Sequence, residues 1–377
     1  MRFRYSLMVA LAVGATHLIA SSDLSAVHEW GTFTSAAGED GAAMGWQTLA
    51  GPSDLPCFVH HLDQRNLKLA DYGTVRMETP VLYFYPLKPL TVSVRVDFPH
   101  GLVTEWFPQA SSVQPSSGGV GWIEWRDVSL GSGTVRLPKL VGTSRYYAAR
   151  ETDAWSLRSE RESEKLLFYR GLGYFDVDLK AVVHDSAVSM RNDGAETIPE
   201  AILFENHAGK VGYHVIRNFR EPANVDFSAL TGTLDNLRAE LEEELTEMGL
   251  YRKEAHAMVE TWRDSWFEEG LRVFYILPRA KVDALLPISI HPAPDQLARV
   301  FVGRVELLSP HTKQEIAAAL VNGDIAVLQK YGRFLNAFLR EMSDGRGDLP
   351  MSESARQFLD RLYAQALAES HQLACSQ

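Results

Sequence analysis

Thr91–Phe98, TVSVRVDF, alternates strictly: Val92, Val94, Val96 and Phe98 fall on one side of an extended chain, and Ser93, Arg95 and Asp97 on the other. A strand so patterned buries one face and wets the other, as in an antiparallel sheet. Outward from it, shorter runs of the same kind recur at 27–34, 81–85, 102–107, 121–128, 165–170, 180–190, 201–205 and 211–217, with turns such as Asn192-Asp193-Gly194 between them. No helical period separates these runs. They predict a mixed, mainly β fold built on an antiparallel β-sandwich.

Near residue 233 the period lengthens. Leu234, Leu237, Leu241, Leu245 and Met248 follow at steps of three and four, Gly249 marks a stop, and Ala255, Met258, Val259, Trp262 and Trp266 resume the spacing. A helix pair over 234–248 and 251–268 is expected. Strand-like runs return at 271–277, 287–291 and 299–308, so the pair reads as an insertion. The organisation expected is a β-sandwich over 27–232, the inserted helices over 233–270, its remaining strands over 271–310, and C-terminal helices over 311–377 resembling one HEAT-type pair.

Residues 1–26 carry the three parts of a secretory signal peptide: Arg2 and Arg4, an apolar run to Ala20, then small residues at Ser21, Ser22, Ser25 and Ala26. The run is shorter than the ~20 residues a bilayer span requires. A periplasmic or secreted protein without a stable membrane span is the expectation. A net charge of −11 gives nucleic acid no support as a partner. With only Cys57 and Cys375, a disulfide-dense scaffold and a four-cysteine metal site are excluded. Cys375 lies two residues from the C-terminus, where fraying is expected, so no essential disulfide is anticipated.

Local catalytic signatures are missing: there is no G-x-S-x-G, H-E-x-x-H, C-x-x-C, G-x-x-x-x-G-K-[ST] or G-x-G-x-x-G. Three segments nevertheless concentrate ionisable and aromatic groups. In Val27-His28-Glu29-Trp30-Gly31-Thr32-Phe33-Thr34, alternation sets Glu29 beside Val27 and Phe33, and His28 beside Trp30. Whichever face is buried takes an ionisable group with it, and one of the two is expected to be paired, with Arg76 or another arginine. In Arg76-Met77-Glu78-Thr79-Pro80, Arg76 and Glu78 point the same way, suggesting an ion pair at the end of a core strand. At Trp266–Arg272, Glu268 sits against the unfavourable end of a helix dipole, so Arg272, Arg279 or Arg304 is expected to compensate.

Catalytic candidates are therefore Glu29, Glu78 and His28, and binding candidates are Trp30, Arg76, Trp122, Trp125, Glu268 and Arg272. Trp122-Ile123-Glu124-Trp125 places one indole on each side of its strand, so one ring is expected to face away from the core. Cys57-x-x-His60-His61 offers half a metal site without the spacing that completes one, and no metal or other cofactor is assigned.

VHEWGTFTS, RMETPVLYFYP, FPHGLVTEWFP, EKLLFYRGLG and ETWRDSWFEEGLRVFYILPR together resemble an uncharacterised family of exported bacterial proteins, across most of the chain beyond the signal segment. The resemblance implies an envelope protein and no particular chemistry. Two functions stay open: a binding module for a glycan or an envelope protein, and a carboxylate-dependent hydrolase of the glycoside-hydrolase type using Glu29 and Glu78. The separation of those two carboxyls, and whether arginines close them off, discriminates between the functions.

Overall fold

Strand β1, Leu24–Ala36, is buried along nearly its whole length, which requires cover on both faces of the sheet that contains it. The computed structural model describes residues 22–48, 55–62, 73–115, 120–133, 135–139, 142, 144–343 and 349–368. With strands numbered along the chain, β1 is central to a nine-stranded sheet. Its order is β14 (Lys210–Phe219), β13 (Ile198–His207), β16 (Gly270–Ile276), β18 (Gln296–Leu307), β1, β3 (Val75–Pro86), β10 (Leu167–Gly173), β5 (Gly101–Phe107) and β2 (His60–His61). A six-stranded sheet runs β17 (Ile288–His291), β4 (Leu90–Phe98), β7 (Gly121–Gly131), β8 (Ser156–Ser159), β9 (Glu162–Glu164), with β6 (Ser112–Gln114) also on β7. A third sheet comprises β11 (Leu179–Val183), β12 (Ala187–Asn192) and β15 (Ala223–Asp226).

Alternation decides which side chains meet. Val27, Phe33, Met77, Leu82 and Phe84 of the large sheet share one apolar cluster with Val92, Val94, Val96 and Phe98 of β4 and Ile123 and Trp125 of β7. This is the expected sandwich, mainly β and mainly antiparallel. One central pair, β1 with β18, is parallel, so the first and last strands of the large sheet are neighbours. The 180–190 run divides into a hairpin of β11 and β12, because its apolar residues are interrupted by a polar turn.

On its other face the large sheet is covered by helices. Leu237, Leu241 and Leu245 of α1 (Leu234–Glu247) and Met258, Val259, Trp262 and Trp266 of α2 (Arg252–Trp266) pack on Phe204, Phe274, Val300 and Trp30. At ~1.5–3 kcal/mol for each large apolar side chain, this contact outweighs the weak intrinsic propensity of two short helices. A short helix absent from the sequence reading, α3 (Arg279–Leu285), follows β16.

The chain ends in α4 (Pro310–Asn322), α5 (Ile325–Lys330), α6 (Leu335–Met342) and α7 (Glu353–Ala368), which share a cluster with Ala36 and Trp46. Between α5 and α6 the C-terminal helical region expected over 311–377 is interrupted at Gly332, whose φ of +49° is left-handed. Among the described residues no helix is long and apolar enough to cross a membrane. Cys57 is disulfide-bonded, so a bridge does form, while the expectation above was that no bridge is essential. Cys375 lies outside the described residues, as do residues 1–21 of the signal segment.

Candidate functional site

Two of the segments singled out in the sequence meet at a β-bulge. Trp30 pairs with Val81 and Thr32 with Glu78, so Gly31 alone faces both Thr79 and Pro80. The extra residue reverses the parity of β3: Val75 and Met77 enter the sandwich core before it, Leu82 and Phe84 after it. Thr79 takes up the irregularity with φ +44°, which a β-branched residue rarely adopts. Gly31 is required by close approach, since a Cβ there would lie 2.7 Å from the Phe301 ring and 3.1 Å from Pro80 Cα.

Glu29 points into the sandwich. Arg299 donates to it through Nε and the Tyr169 hydroxyl donates at 2.5 Å; both Glu29 and Arg299 side chains are fully buried. Burial works to lower the Arg299 pKa, but Glu29 and Tyr169 reverse this and raise it. His28 points to the opposite face, where its Nδ1 lies 2.7 Å from Glu254; Glu254 also accepts from the Tyr85 hydroxyl and the Tyr251 amide, each at 2.7 Å. One of the pair was expected to be buried. Both are, because helices cover the face that the sequence leaves to water.

Glu78 lies on the helix-facing side, in a row of charged and hydroxyl side chains crossing the sheet. Arg272, Arg304 and Glu306, then Thr32 and Thr34, then Arg76 and Glu78, then Arg170 and Glu105 occupy successive strands. Arg333, from the turn between α5 and α6, reaches Glu78 at 2.7 Å. Burial alone would push the Glu78 carboxyl up, but Arg333, Arg170 and Arg304 overcome it and hold it down at about 2. Such a group is a fixed anion and not a proton donor near neutrality. Arg76 does not pair with Glu78 as expected; it donates to Glu105 at 3.1 and 3.2 Å and to Thr104 at 3.2 Å. The hydroxyls of Thr32, Thr34 and Thr79 are buried without a hydrogen-bond partner among the described residues.

Beside this row a cavity opens under the helical cover. Trp30, Val81, Phe168 and Thr79 of the sheet line it, together with Phe58, Phe107, Tyr146, Tyr147 and Ala149. It encloses about 50 Å³, within about 490 Å³ of empty space that includes its mouth. At ~10–15 Å³ per water, that holds a few waters or one small ring. Arg150 and Glu164 are also in the wall, joined to each other by bonds of 3.0 and 2.5 Å.

The remaining candidates do not line this cavity. Trp125 is core, donating to the Pro108 carbonyl at 2.9 Å. Trp122 is the ring that faces outward, and the Arg95 guanidinium covers it at 4.3 Å, so no bare stacking platform is formed there. Arg272 donates to the carbonyls of Trp266, Glu268 and Glu269 at 2.8, 2.6 and 3.1 Å, closing the end of α2, while Arg304 takes the Glu268 carboxylate at 2.7 Å. Arg279 pairs elsewhere, with Asp283. His60 binds Glu162 at 3.0 Å, and no group of three or more metal-ligating side chains converges among the described residues.

The structure thus separates Glu29 from Glu78 and joins Trp30 to Thr79. Arg299, Tyr169, Glu254, Glu105, Arg333 and the 145–150 wall were missed, since each partner lies far along the chain and no local spacing announces it. A comparison with family models finds no match to the chain, and none of the curated proteins matches it.

Proposed function

We propose that this chain is an exported binding module that holds a small apolar ligand between its large sheet and the helical cover. The cavity carries the reading: a concave, largely apolar and aromatic site with few polar groups is the usual form of a small-molecule site. The carboxylates nominated for hydrolysis support it indirectly, since Glu29 and Glu78 are each held by arginine on opposite faces. A glycan platform has less behind it, with Trp30 and Trp125 in the core and Trp122 covered.

The test is ligand-observed NMR of single-ring fragments with the full chain and with Ala149→Phe, which fills the cavity wall. Binding that disappears in the variant is expected; no binding, or binding indifferent to the variant, overturns the reading. Export is tested by intact mass of protein from the envelope fraction. Leu24 and Ala26 are core residues of β1, so the cleaved bond is expected upstream of Leu24, closer to Ala20 than to Ala26.

A further inference from the structure

We infer that the ligand of this cavity is a small phenol, an uncharged aromatic ring bearing one hydroxyl, and that Thr79 selects it. The inference rests on the binding reading above. Six aromatic side chains in the lining favour a flat ring over a branched aliphatic group. Charge in the wall is already matched: Arg150 and Glu164 bond to each other, Arg150 also to the Pro138 carbonyl at 2.9 Å, and Glu164 also to the Lys165 amide at 2.8 Å. A charged ligand would enter without a counter-charge, at a large desolvation cost.

The polar groups left are few. The Thr261 hydroxyl donates to Ala257 O at 2.7 Å. The Thr79 hydroxyl, on a residue 2% exposed, has no partner among the described residues, and neither has the Trp30 indole N–H, which can only donate. Thr79 is placed in the wall by the bulge opposite Gly31, in a backbone conformation costly for threonine, as side chains at ligand sites often are. One neutral hydroxyl that donates and accepts matches one ligand hydroxyl. A sugar would bring several and leave most of them unpaired.

The experiment compares phenol with toluene, titrated against the full chain by ligand-observed NMR. In the native protein phenol is expected to bind at least as tightly as toluene, because an unpaired buried hydroxyl would make it the weaker ligand. In Thr79→Val, which keeps the shape and loses the hydroxyl, the phenol-to-toluene affinity ratio is expected to fall roughly three- to tenfold. Thr79→Ser should keep the native ratio. Toluene binding without phenol, or a ratio unchanged in Thr79→Val, overturns the inference and leaves the binding reading intact. Failure of both compounds to bind overturns both. If Thr79→Val does not fold, the native phenol-to-toluene order still decides whether the ligand is a phenol, and the same ratio in Thr79→Ala decides whether Thr79 selects it.

Discussion

Glu29 and Glu78 lie on opposite faces of one sheet, Glu29 bonded to Arg299 within the sandwich and Glu78 to Arg333 beneath the helices. Their strands are neighbours, yet the layer between them prevents the two carboxyls from flanking one bond. Glycoside hydrolysis typically uses two carboxyls ~5–10 Å apart across an open cleft, whereas both of these side chains are buried. Each is a buried anion whose worth depends on its arginine.

For Glu29 the dependence is testable directly. Glu29→Gln removes the charge facing Arg299 and leaves that guanidinium with the partly exposed Asp283, 2.8 Å from Nη1. Breaking a buried pair typically costs ~3–5 kcal/mol. Urea unfolding of the variant should show a loss of that order, and an unchanged midpoint would mean that Arg299 is adequately held without it.

Glu78 links stability to acid. Its folded pKa, about 2, lies below the ordinary carboxyl value of 4.5, so as pH falls the unfolded chain takes up the proton first. The stabilisation is complete above about pH 4.5 and is lost toward pH 2, on the order of 3 kcal/mol in total. Arg333→Met should flatten this acid limb in urea titrations between pH 5 and 2.5. An identical limb in native and variant proteins would assign the acid sensitivity elsewhere.

Glu200 has the opposite sign. Burial, and then Glu244 on α1, raise its carboxyl to about 7 despite Arg217, and both of its oxygens lack hydrogen bonds among the described residues. Between about pH 4.5 and 7 the folded chain holds a proton that the unfolded chain has released. Stability from this group therefore increases as pH falls through 7. Glu200→Gln, which imitates the protonated acid, should raise the melting temperature at pH 8 and leave it nearly unchanged at pH 5. A lower melting temperature at pH 8 would show that the Arg217 contact, at 3.5 Å, matters more than the buried charge.

The legible parts of this fold were those written in short-range periodicity. Val92, Val94, Val96 and Phe98 announced β4 and its core face, and the Leu237–Leu241–Leu245 stripe announced α1 with its Gly249 stop. Arg272 and Arg304 as answers to the acidic end of α2 followed from the helix dipole. What stayed hidden depended on contacts remote in sequence. Arg299 is 270 positions from Glu29, and Glu254 is 226 from His28. Alternation alone assigned one wet face to β1; only the helical cover, folded from residues beyond 233, buries it. The bulge was hidden as well, because RMETP reads as a continuous strand until Gly31 is set opposite Thr79 and Pro80.

Gly31 is where strand, bulge and cavity depend on a single position. Adding one methyl places a Cβ 2.7 Å from the Phe301 ring and 3.1 Å from Pro80 Cα, closer than packed atoms tolerate. Phe301 is fully buried in the sandwich core and packs against Phe33 in a tilted arrangement with ring centroids 5.1 Å apart, so it has little room to retreat. Pro80 is backbone, and moving it moves Thr79. Gly31→Ala should therefore destabilise by ~1–3 kcal/mol, the usual cost of overpacking, and should also alter the phenol-to-toluene ratio by displacing the Thr79 hydroxyl. Ala149→Phe, in contrast, should abolish binding of both compounds at little cost to that geometry. A folded Gly31→Ala protein with native stability and a native ratio would show that the bulge accommodates a side chain, and that Thr79 is not held in place by the close approach of β1.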